Sequence, residues 1–95
     1  MPHVIVRGFG SIRDIIGSER IKLEINEKET LTSAINSILA TYHGISEIVL
    51  DPETGKPRTN IRFLLNERNV ELPKDAEQRV EDGDVLAILP PVGGG

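Results

Sequence analysis

The residues best suited to chemistry stand at the end of this 95-residue chain, where Pro90-Pro91-Val92-Gly93-Gly94-Gly95 leads to the α-carboxylate. Two prolines remove backbone donors and fix φ, so a strand reaching them loses its ladder and leaves the sheet extended. Val92 adds an apolar grip, and three glycines then strip every Cβ from the thread, fitting it to a narrow channel. Extended, these residues reach roughly 20 Å, enough to carry a carboxylate into another protein's active site. An α-carboxyl titrates near about 3.3–3.7, so at neutral pH it is an unreactive anion that needs a partner to activate it.

The other arrangements lead nowhere comparable. Gly8-Phe9-Gly10 begins like a dinucleotide loop, but the required third glycine is Arg13, and no Walker A run is present. His3 and His43 have no ligand spacing around them, Asp82-Gly83-Asp84 lacks the rest of a calcium loop, and no cysteine exists to hold zinc or act as a nucleophile. No hydroxyl or carboxylate is spaced with a base and an orienting group. The chain is therefore expected to bind no metal or cofactor and to carry rather than catalyse.

The net charge of −4 argues against nucleic acid as the main partner and favours a protein partner with a basic surface. Asp75, Glu77, Glu81, Asp82 and Asp84 form the densest acidic stretch, which reads as a solvated loop. The N-terminus lacks the pattern of a signal peptide and no apolar run suffices for a bilayer, so the expectation is a soluble, cytoplasmic protein without a membrane role.

The elements that must position the tail fit one module: a domain over residues 1–89 followed by a reactive tail over 90–95. Residues 3–9 and 20–25 read as a hairpin pair, with a short turn or helix through Ile12, Ile15 and Ile16 between them, closed by Gly17 and Ser18. Leu31, Ala34, Ile35, Ile38, Leu39 and Tyr42 form one apolar stripe at helical spacing. Thr30 reads as its N-cap, Glu27 and Glu29 as acids at the positive end of its dipole, and Gly44 as its stop. Asp51–Arg58 reads as an exposed turn-rich loop, Ile61–Leu65 and Asn69–Leu72 as strands, and Val85–Leu89 as the last strand. The order is β-β-α-β-β, an α+β chain with a mixed four- to five-stranded sheet on one main helix. If Phe63, Leu65, Leu86 and Ile88 face that helix, Leu64 and Leu89 face away, and exposed leucines beside a reactive tail suggest a docking face.

The ending Asp82-Gly83-Asp84-Val85-Leu86-Ala87-Ile88-Leu89-Pro90-Pro91-Val92-Gly93-Gly94-Gly95 resembles that of the MoaD/ThiS family of ubiquitin-like sulfur carriers. Phe9–Gly17 is similar to the family's segment after the first strand. The resemblance implies a ubiquitin-like β-grasp fold and an E1-like enzyme that uses ATP and Mg to adenylate Gly95, after which sulfur replaces an oxygen to give a thiocarboxylate. It implies sulfur donation in molybdopterin (molybdenum or tungsten cofactor) biosynthesis, with the chain as the small subunit of a molybdopterin-synthase-type complex beside a large subunit. Phe9, Leu64, Leu89, Pro90, Pro91, Val92, Gly93 and Gly94 would meet the partners. Archaeal ubiquitin-like modifiers, joined to lysines of target proteins, share the Pro-Pro-Val ending, so two fates of Gly95 stay open.

Overall fold

β-Branched residues open the chain: in β1 (His3–Gly8) Val4 and Val6 are buried, while His3, Ile5 and Arg7 are partly exposed. The computed structural model describes residues 2–90. β1 pairs antiparallel with β2 (Arg20–Glu24), whose polar and apolar residues alternate as its sequence predicts. Between them runs α1 (Gly10–Ile16), which buries Ile12 and Ile16 and ends where Gly17, at φ 84°, donates its N–H to the Arg13 carbonyl. Gly8 lets this helix lie close, since a Cβ there would stand 3.0 Å from the Arg13 nitrogen and from Ile16 Cδ1.

α2 (Leu31–Thr41) turns Leu31, Ala34, Ile35 and Ile38 into the core, the stripe its spacing predicts. Thr30 caps it reciprocally with Ser33, the Thr30 hydroxyl accepting from the Ser33 N–H and the Ser33 hydroxyl from the Thr30 N–H. The rest of its first turn is satisfied from a distance: Leu31 N–H donates to the Gln78 carbonyl at 2.8 Å and Thr32 N–H to the Ala76 carbonyl at 3.1 Å. Glu29 serves differently from the dipole role expected of it, for its carboxylate is buried (7% exposed) and accepts the Asn26 N–H.

Gly44 does not stop this helix. Tyr42 ends it, at φ −121° and ψ 86°, and α3 (His43–Val49) begins at once, with Ile45 and Val49 buried four residues apart. Gly44 lies where α3 crosses α1, a Cβ there being 3.4 Å from the Ile15 side chain. The glycine answers a helix crossing, not a chain reversal.

Residues 51–60 form turns, tied by a bridge between Leu50 and Pro57. β3 (Arg62–Leu65) then pairs antiparallel with β4 (Arg68–Val70) through a two-residue turn in which Asn66 and Glu67 both have positive φ, 51° and 70°. β5 (Val85–Leu89) completes a five-stranded mixed sheet of order β2-β1-β5-β3-β4, with β5 parallel to β1 and antiparallel to β3. The class is the α+β expected, with α1 and α3 added to the main helix.

The acidic connection before β5 is more than a solvated loop. Val80 is buried, and Asp75, Asp82 and Asp84 accept backbone N–H groups from Glu71, His3 and Glu81. This segment straps the start of α2 and closes the sheet's far end.

Candidate functional site

The site is assembled at one end of β5. Because β5 is central, its exit is framed on both sides, by the end of β1 and by the start of β3. The parallel register ends with Gly8 opposite Ile88, so Phe9 and Leu89 follow one step further and Gly10 and Pro90 two steps further at the same end. The last of these relations agrees with a distance: a Cβ on Gly10 would lie 3.2 Å from Pro90 Cγ. Gly10 also has φ +55°, a conformation that costs an L side chain about 1–2 kcal/mol. The turn after β1 thus forms a shallow seat for the first tail proline, a role for Gly10 that the sequence did not reveal.

The antiparallel register places Leu64 opposite Ala87 and Arg62 opposite Leu89. Directly opposed residues share a face, so Ile5, Arg7, Val85, Ala87, Leu89, Arg62 and Leu64 lie on the side of the sheet turned from the helices. Leu64 and Leu89 are half-buried there, as their alternation with buried Phe63, Leu65, Leu86 and Ile88 predicts. Phe9 falls just beyond β1, at the cap of α1, also half-buried. Phe9, Leu64 and Leu89 are therefore brought to one end and one face of the molecule, and Pro90 follows at the same end, against Gly10. Pro91, Val92, Gly93, Gly94 and Gly95 lie outside the described residues.

Sequence reading missed the apolar strip of Ile5, Val85 and Ala87 that continues from the leucines, although period-two alternation in β1 and β5 carried it. It also missed the cations around that strip. The Arg7 guanidinium carbon stands 5.1 Å from the centroid of the Phe9 ring, and Nη2 donates to Glu19 at 3.2 Å. Arg62 Nη2 donates to Asn69 Oδ1 at 2.8 Å, while Arg20 lies across from Arg7 on β2. Among the described residues no three His, Cys, Asp or Glu side chains converge as a metal site. A cleft of about 500 Å³ runs along β3 and β4 between Pro57 and Leu72, with Arg58, Thr59, Arg62 and Glu71 in its lining.

The family model for ThiS matches residues 6–95, almost the whole chain including the glycine ending. The chain belongs to the ThiS family. Among curated relatives, small archaeal modifier protein 3 of Haloferax volcanii is 28% identical over 90 residues, covering 95% of this chain and 96% of that protein. The sulfur carrier protein CysO of Mycobacterium tuberculosis is 35% identical over 68 residues, 70% of this chain and 73% of the relative. In structure, small archaeal modifier protein 1 of H. volcanii superposes with a TM-score of 0.83 at 20% identity, covering 97% of this chain and 100% of that one. The fold is a ubiquitin-like β-grasp, and the family is one of sulfur carriers and ubiquitin-like modifiers.

Proposed function

We propose that this chain is a sulfur carrier whose Gly95 is the working residue. An E1-like enzyme, using ATP and Mg, joins the Gly95 carboxylate to AMP with release of pyrophosphate. A sulfur donor then displaces AMP and leaves a thiocarboxylate. The family match running through residue 95 carries this reading. The geometry supports it, because a central strand delivers Pro90 to the edge of a half-exposed apolar face, so a partner gripping that face also receives the chain end beyond Pro90. Such a protein supplies no acid, base or metal of its own, and its contribution is presentation: Gly10 seats the tail's root, and Phe9, Leu64 and Leu89 give the enzyme a surface to hold.

The acceptor of the sulfur is proposed to be a molybdopterin precursor, with the large subunit of a molybdopterin-synthase-type complex as the second partner. A second reading is favoured by the nearly full-length match to an archaeal modifier: conjugation of Gly95 to target-protein lysines after the same adenylation. One measurement separates them. Intact-mass analysis of the protein isolated from its own cells shows one oxygen exchanged for sulfur if it is a carrier. Branched peptides on substrate lysines reveal a modifier, and finding neither under any growth condition removes both.

A further inference from the structure

The charge of this chain is sorted along the strands of its sheet. Arg7, Arg20 and Arg62 occupy the outer face at the level of Ala87 and Leu89, the end where β5 delivers Pro90, and Lys22 follows one pair further back. Glu19 stands with the cations, paired with Arg7, while Glu24, opposite His3, and Asp82 and Asp84, flanking the start of β5, mark the other end as acidic. Setting the four cations and Glu19, which pairs with Arg7 at this end, aside from the chain's 11 Lys and Arg and 15 Asp and Glu leaves 7 cations against 14 anions elsewhere. The net charge of −4 therefore misdescribes the surface beside the tail, and a basic partner, expected from that net charge, meets like charge there.

Two of these cations are braced in place. The Arg7 side chain is only 29% exposed, is stacked on Phe9, and commits one nitrogen to Glu19, while its buried Nε has no acceptor. A guanidinium fixed in this way loses little freedom when a carboxylate engages its exposed edge. Arg62 is braced by Asn69 on the neighbouring strand. Between these arginines lie Ala87, Leu89 and Leu64, so the face has an apolar centre and a cationic rim, the plan of a protein–protein interface.

We propose that the surface docking here is acidic: an apolar patch on the activating enzyme, rimmed by Asp or Glu carboxylates that engage Arg7, Arg20 and Arg62. The inference rests on the reading of Gly95 as the activated end and adds the chemistry of the partner. Nucleic acid fits less well, since a phosphate backbone gains nothing from the central leucines and the rest of the chain repels it. Opposed charges at the two ends of the sheet serve orientation, because the acidic end is turned from an acidic enzyme as the tail approaches it.

The test uses the full-length chain and the E1-like enzyme encoded in the same genome, with ATP–pyrophosphate exchange measured against carrier concentration. Arg20→Glu combined with Arg62→Glu is expected to raise KM roughly tenfold or more while kcat stays unchanged, and the wild-type KM is expected to climb as NaCl goes from about 50 to about 400 mM. Glu53→Lys with Glu77→Lys, away from this face, should leave KM unchanged, and thermal unfolding of both variants verifies folding. A KM unaltered by the arginine reversals or by salt overturns the proposal while leaving tail activation intact. Direct titration of enzyme with wild type and variant covers the converse: binding that the reversals weaken, without any exchange, upholds the acidic docking surface and defeats the activation reading. Absence of wild-type binding by titration overturns the proposal, as does a role of these arginines only in self-association or RNA retention.

Discussion

The two faces of one sheet divide the work of this protein. On the inner face Val4, Val6, Phe63, Leu65, Leu86 and Ile88 meet α1, α2 and α3 and are almost wholly removed from water. On the outer face the residues between them, Ile5, Arg7, Leu64 and Leu89, remain partly exposed, with arginines around the leucines. Both rows come from the same strands, offset by one residue. Alternation thus lets one element hold the fold with every second side chain and leave the others on the half-exposed face proposed above as the partner surface, and a change at position 88 and one at position 89 should have unlike consequences.

The largest effect is expected from the tail. Deleting Gly95, or replacing Gly94 with Val, should abolish pyrophosphate exchange with the activating enzyme and leave thermal unfolding unchanged, because β5 and the core it serves end at Leu89. Near-normal exchange by the shortened chain would show that Gly95 is not the activated residue. Next comes the inner face. Ile88→Ala should cost about 2–5 kcal/mol in denaturant unfolding through the cavity it leaves, enough to threaten a domain of marginal stability. A loss near zero would mean that the assigned faces are reversed.

The outer face should answer in binding and not in stability. Leu89→Asp introduces a charge into the centre of the docking surface, so enzyme binding should fall by roughly tenfold or more, with little change in unfolding. If the protein fails to fold instead, Leu89 belongs to the core. The smallest effect tests the frame that both faces share: Thr30→Ala removes the cap of α2 and should lower stability by about 1 kcal/mol without altering the KM for carrier. A raised KM would show that α2 and its strap communicate with the exit of β5.

What could be read from the sequence was what repeats locally. Period two in Arg20–Ile25 marked a strand and its faces, a short apolar run at Val85–Leu89 marked another, helical spacing from Leu31 to Tyr42 marked α2, and Thr30 its cap, since each depends only on neighbours in the chain. The tail was singled out on the same local ground, since prolines and glycines dictate backbone behaviour wherever they stand, and residues 91–95 lie outside the described residues. Gly44 misled because a glycine that stops a helix and one that lets two helices cross look alike until Ile15 is seen beside it. α3 was overlooked for want of length, its Ile45 and Val49 forming a single turn of pattern.

Tertiary structure alone decided which distant residues meet. Gly10 and Pro90 touch because β1 and β5 run parallel in the sheet's centre, a pairing that no local pattern announces. Segment 76–80 satisfies the start of α2 across a long sequence separation, turning an apparently solvated acidic loop into a strap. The same register gathers Arg7, Arg20 and Arg62, one from each of three strands, at the tail's end of an acidic chain. Composition sums charge over the whole molecule, whereas a partner meets only one face, and strand order determines which charges that face presents.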